Sequence, residues 1–204
     1  MLAIIDYNAG NLFNVEKALK HLGHDCIVTG DAAVIHSADA LILPGVGAFV
    51  AAWGELTALG LDNVIKREVE SGTPLLGICL GMQLFFDVGY EMEECEGLGL
   101  IAGSVKMLET KEKIPHMGWN SLVFEKDSPL FAGIKEGEYV YFVHSFAPVP
   151  DNEADLVAWS DYGMQVTAAV QKGNVYGVQF HPEKSGAVGM RILDNFAKIA
   201  MEGK

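Results

Sequence analysis

The sequence predicts an α/β fold: a mostly parallel sheet flanked by helices, with antiparallel strands added in the second half. Three observations predict it. In the first half, short apolar runs alternate with stretches of helical period, the rhythm of parallel strands and their crossover helices. Beyond about residue 97 the apolar runs follow one another with glycine and proline between them, which suggests antiparallel or mixed pairing along one side of the sheet. Hydrophobic residues make up 50% of the 204. No repeat, low-complexity tract or linker divides them, so one domain over residues 1–204 is expected.

Taken in order, Leu2–Asp6 is an apolar run ending in Asp, followed by the turn formers Tyr7-Asn8-Ala9-Gly10-Asn11. Asn11 is placed to cap a helix whose apolar positions Leu12, Val15, Ala18, Leu19 and Leu22 recur at helical spacing and stop at Gly23. Cys26–Thr29 and Ala40–Leu43 read as strands, the second running into Pro44-Gly45-Val46-Gly47. A helix is predicted through Glu55–Glu70, and Leu75–Ile78 is the next strand. The later strands are Val105–Leu108, Ser121–Phe124, Tyr139–Phe142, Leu156–Ser160, Ala168–Gln171 and Val175–Val178. A helix from about Gly189 to Met201 closes the chain.

The formal net charge of −13 argues against a nucleic-acid partner, which calls for a basic footprint. No apolar run reaches membrane-spanning length, and the opening residues read as a first strand of the fold, with no charged region ahead of an apolar one. Three cysteines, Cys26, Cys79 and Cys95, are too few and too scattered for a disulfide framework or a zinc site, and they fit a reducing cytoplasm.

Chemistry concentrates in Thr73–Gln83, T-P-L-L-G-I-C-L-G-M-Q. A cysteine boxed by Gly77 and Gly81 between a strand and the start of a helix has the G-x-C-x-G form of a nucleophile elbow. That turn places the thiol at a helix N-terminus, where the dipole favours the thiolate. It also presents the Leu80 amide to a developing oxyanion. A buried cysteine at a tight strand-to-helix turn is the plainer reading of the same residues. The second stretch is Tyr176–Ser185, Y-G-V-Q-F-H-P-E-K-S. It delivers His181 to the carboxyl edge of a strand, where open α/β sheets bind ligands, with Glu183 two residues on. Cys79, His181 and Glu183 can serve as nucleophile, base and orienter; alone, His181 and Glu183 also read as a mutually satisfied loop pair. In the third stretch, Pro44–Gly47, backbone amides can face an oxyanion, although four residues alone describe an ordinary turn. The phosphate-loop pattern G-x-x-x-x-G-K-[ST] is absent.

Together, L-G-I-C-L-G-M-Q, P-G-V-G and G-V-Q-F-H-P-E-K-S resemble the class I (triad) glutamine amidotransferases. Within them, I-D-Y-N-A-G-N, P-H-M-G-W-N at Pro115–Asn120, Y-F-V-H-S-F at Tyr141–Phe146 and H-P-E-K-S-G are similar to the glutaminase subunits of imidazole glycerol phosphate synthase. The similarity runs from Ile4 to Phe196.

The resemblance implies the flavodoxin-like sheet of that class and hydrolysis of glutamine at Cys79, with His181 as base and Glu183 as its orienter. It implies an oxyanion hole from the amides of Val46 and Leu80, and a glutamine site from Gly47, Gln83, Glu91 and the segment His144, Ser145 and Phe146. It implies no cofactor and no metal. The implied partner is a separate (β/α)8-barrel cyclase subunit of the HisF type. Asn11, Asn14, Met117, Trp119 and Lys184 are the candidates for the face that meets it; the plainer readings are a core aromatic for Trp119, the lesser of its two, and a solvated surface charge for Lys184. Glycines around Val46 would let its peptide rest turned away from the oxyanion until the partner binds. The rival readings are the glutaminase subunit of another synthase, a stand-alone cysteine hydrolase, and a non-catalytic interaction protein on the same fold.

Overall fold

The computed structural model of the chain describes residues 1–202. The first half alternates as predicted: β1 (Leu2–Ile5), α1 (Leu12–His21), β2 (Cys26–Thr29), α2 (Ala32–His36), β3 (Ala40–Gly45), α3 (Phe49–Ala58), α4 (Leu61–Glu70) and β4 (Leu75–Cys79). After the single turn α5 (Leu80–Gln83) come β5 (Phe86–Gly89), β6 (Cys95–Glu96), β7 (Ile101–Met107), β8 (His116–Ser121) and β9 (Val123–Phe124). Then follow β10 (Tyr139–His144), β11 (Phe146–Pro150), β12 (Leu156–Asp161), β13 (Gln165–Lys172), β14 (Val175–Val178) and α6 (Gly186–Glu202).

The main sheet has eight strands in the order β2-β1-β3-β4-β14-β13-β12-β9. The pairs from β2 to β14 are parallel, and those beyond are antiparallel. Its parallel strands are apolar on both sides because both sides are covered. Leu2, Ile4, Ile42, Leu76 and Ile78 face a core shared with Val15, Leu19 and Phe196. Ala3, Ile5, Leu41, Leu43 and Leu75 face the opposite core with Phe49, Leu56 and Ile65.

Four expectations are corrected. The helix through Glu55–Glu70 is two helices, because Gly60 takes left-handed backbone (φ 68°, ψ 14°) between α3 and α4. Asn11 stands at the cap position of α1, but at φ −92°, ψ 64° its side chain makes no capping bond. The later strands do not all extend one side of the main sheet: β8 and β10 form a two-stranded ribbon, and β11-β7-β5-β6 a separate four-stranded sheet. Alternating apolar residues show that a strand has a buried face but not which strand it pairs with. Finally, the helix after Cys79 lasts one turn, too short to build up a sizeable macrodipole, so the argument for a dipole-favoured thiolate loses most of its force.

Candidate active site

Register brings the three motif stretches together. Gly45 of β3 lies opposite Cys79 of β4, and on the other side of β4, Val178 of β14 lies opposite Ile78. The Pro44–Gly47 loop, the cysteine turn and the His181 turn therefore leave the carboxyl ends of three adjacent parallel strands. Cys79 takes φ 55°, ψ −113°, a positive φ that costs a side-chain-bearing residue about 1–3 kcal/mol. The turn fits against β3 only with glycine at position 81, since a Cβ there would overlap the Leu43 carbonyl. Tyr7, wholly buried, donates to the Pro44 carbonyl (2.8 Å) and fixes the start of the neighbouring loop. Burial, and then the nearby Cys79 sulfur, raise the Tyr7 phenol pKa.

His181 and Glu183 are also buried, and His181 Nδ1 lies 2.9 Å from Glu183 Oε1. The second nitrogen, Nε2, is buried without a hydrogen-bond partner, as is Glu183 Oε2. Burial lowers the His181 pKa, but the Cys79 sulfur and the Glu183 carboxylate outweigh it and raise the value to about 9. The arrangement favours an imidazolium beside the sulfur, ready to give up its Nε2 proton to a leaving group.

These side chains open onto a cleft of about 300 Å³ lined by Val46, Gly47, Cys79, Leu80, Gln83, Glu91, Pro115, Val143, His144, Ser145, Phe146 and His181. Every residue expected in the oxyanion hole or glutamine site is present. Their side chains are not equally free. Glu91 Oε2 accepts from the Phe49 amide at the start of α3 (2.8 Å). Gln83 Nε2 donates to the Phe146 carbonyl (2.9 Å) and to Gln179 Oε1 (3.0 Å). His144 Nδ1 lies 2.9 Å from the same carbonyl, and its Nε2 lies 3.0 Å from His116 Nδ1. The His144 ring is therefore fully engaged, leaving Ser145 and the backbone of this segment to meet a ligand. A larger groove of about 440 Å³, between Lys106–Leu108, Ala147–Pro150 and Met164–Thr167, holds none of these residues.

Two important side chains escaped the sequence reading. Gln179, fully buried, points its Nε2 at Cys79 Sγ (3.6 Å); an amide inside the apolar run Val175–Phe180 was the available signal. Ser185 Oγ accepts from the Tyr141 amide (2.9 Å) and donates to the His181 carbonyl (2.6 Å). It ties the His181 turn to the ribbon strand β10, and nothing local in the sequence signals that contact.

The residues proposed for the partner face lie at the start of α1, on the ribbon and in the His181 turn itself. Asn11 lines a crevice with His181 and Glu183, and α1, which carries the half-buried Asn14, packs against the Pro182–Lys184 turn. Lys184 is exposed, with no ion pair among the described residues. On the ribbon, Met117 is 60% and Trp119 55% exposed, which removes the reading of Trp119 as a core aromatic. Phe13, 69% exposed on α1, was not anticipated.

Among the described residues no helix is long and apolar enough to cross a membrane. The family model described as glutamine amidotransferase class-I matches residues 3–200. A Bacillus cereus protein named imidazole glycerol phosphate synthase subunit HisH is 53% identical over 200 residues, 98% of this chain and 95% of its own. A protein of the same name from Oceanobacillus iheyensis is 50% identical over 199 residues, 98% and 99% of the two chains. A crystal structure of a glutamine amidotransferase superposes with a TM-score of 0.76 at 22% identity, covering 98% of each chain, a likeness of fold. With its cysteine turn, buried His–Glu pair and full-length similarity, the chain belongs to the class-I glutamine amidotransferases, among the HisH subunits of imidazole glycerol phosphate synthase.

Proposed function

We propose that this single-domain chain hydrolyses glutamine through Cys79 and supplies the ammonia to a (β/α)8-barrel cyclase of the HisF type, in the cytoplasm, for histidine biosynthesis. The observation that carries the chemistry is the buried, unpartnered Nε2 of His181 beside the Cys79 sulfur, its Nδ1 held by Glu183.

The sulfur attacks the carboxamide carbon of glutamine, and the amides of Val46 and Leu80 receive the oxyanion. As the intermediate collapses, His181 protonates the departing nitrogen, which leaves as ammonia, and a γ-glutamyl thioester remains. The neutral imidazole then removes a proton from water; the hydroxide attacks the thioester, glutamate leaves, and the thiolate–imidazolium pair is restored. The cyclase uses the ammonia to convert phosphoribulosyl formimino aminoimidazole carboxamide ribotide (PRFAR) to imidazole glycerol phosphate and the aminoimidazole carboxamide ribotide AICAR. Val46, 44% exposed and next to Gly47 at φ 103°, is the point at which partner binding would turn an amide toward the oxyanion.

The test uses a glutamine-analogue diazo-ketone, expected to label Cys79 and spare Cys26 and Cys95. In the assembled complex, Cys79→Ser should abolish glutamine-dependent cyclisation by several orders of magnitude and leave ammonium-dependent cyclisation intact. Labelling that survives Cys79→Ser defeats the proposal.

A further inference from the structure

We propose that Asn120 and His116 are positioning residues for the glutamine cleft, holding the His144 ring in the tautomer that donates to the Phe146 carbonyl. The inference rests on the reading of the cleft as the glutamine site.

Hydrogen-bond direction fixes each member in turn. The Phe146 carbonyl can only accept, so His144 Nδ1, 2.9 Å away, carries the proton. Burial lowers the pKa of His144 to about 3 and that of His116 to about 4, so each neutral ring has one N–H. His144 Nε2 must then accept from His116 Nδ1 (3.0 Å), which leaves His116 Nε2 to accept from Asn120 Nδ2 (3.2 Å). Asn120 has no freedom to reverse: its Oδ1 accepts from the Ser121 amide (2.8 Å), and its Nδ2 also donates to the Asp161 carbonyl (2.9 Å).

The His116 ring is clamped between Phe142 (centroids 4.5 Å) and Tyr162 (4.0 Å). Beyond His144 the bonds continue through the Phe146 carbonyl, Gln83 and Gln179 to the Cys79 sulfur. An unbroken polar line thus runs from the exposed ribbon to the reacting atom. The titratable groups that bear on the pair are His181, which acts on His144, and Tyr162, stacked on His116. Among the described residues neither ring bonds a carboxylate.

Asn120→Asp replaces the donor with an acceptor of the same shape. His116 Nε2 must then hold a proton to bond it. While His116 is a cation its Nδ1 still donates to His144 and the cleft is preserved; on losing a proton it faces His144 with a lone pair. In the complex with the barrel, Asn120→Asp, which loses the bond to the Asp161 carbonyl at every pH, should show a KM for glutamine that rises about a further tenfold between pH 6 and pH 8, the cost of one more lost buried bond, with kcat little changed.

His116→Asn, which keeps a donor near the Nδ1 position, should retain a lower KM than His116→Phe, which keeps only the stack. Nitrogen-15 shifts should report an Nδ1–H tautomer for His144 in the unmodified chain. An Nε2–H tautomer there, or a wild-type KM across this pH range in well-folded Asn120→Asp and His116→Phe, overturns the proposal. Failure of the unmodified complex to hydrolyse glutamine through Cys79 overturns the reading of the cleft itself, and the positioning role with it.

Discussion

Burial would drive the proton off His181, yet the Cys79 sulfur and the Glu183 carboxylate hold it to about pH 9. Glu183→Gln removes one of those two supports, so the alkaline limb of kcat/KM should move to lower pH, read from a pH–rate profile; an unmoved limb separates Glu183 from the base. The same shift feeds stability. A histidine raised when folded contributes stability that is complete below its unfolded value near 6.5 and lost as pH rises through about 9. His116 and His144, lowered by burial to about 4 and about 3, do the opposite. Their contribution is complete above 6.5 and lost as pH falls toward those values. Each removes on the order of 3 kcal/mol by pH 4, so the melting temperature should drop steeply on acidification, and His116→Phe should flatten that slope. An equal slope in the variant would mean that the ring is protonated without cost.

At the scale of elements, the site depends on how turns are held to strands. Ser185→Ala strands the Tyr141 amide and leaves the His181 carbonyl with only its bond from the Lys184 amide. An unsatisfied buried group costs about 1–3 kcal/mol, so a lower melting temperature and loss of glutamine hydrolysis are expected. Gly81→Ala should do comparable damage by pushing the cysteine turn off the Leu43 carbonyl; both are measured by thermal melts and steady-state hydrolysis. The elements that set these turns were readable to different degrees. Parallel strands announced themselves as continuous apolar runs, and Cys79, His181 and Glu183 lie in stretches where glycine or proline dictates the backbone. The break at Gly60 was missed because apolar spacing continues across it from α3 to α4. Gln179 and Ser185 gain their roles from partners distant in sequence, 100 residues for Gln179 and Cys79, and local pattern carries no record of such contacts.

At the scale of the whole molecule, Phe13 on α1, Met117 and Trp119 on the ribbon, and Lys184 in the His181 turn are all exposed. Exposed residues contribute little to folding, so Phe13→Ala and Trp119→Ala should leave the melting temperature almost unchanged, within about 0.5 kcal/mol of stability. Both should weaken binding of the barrel in a calorimetric titration, as should Lys184→Ala; unchanged affinity in all three would place the partner elsewhere. The sheet order carries one more consequence. β14, the last strand in the chain, is inserted between β4 and β13, near the middle of the sheet. A growing polypeptide makes Cys79 100 residues ahead of Gln179, and until β14 takes its place between β4 and β13 the cysteine turn has no His181 turn beside it: a partly made copy carries its nucleophile without its base.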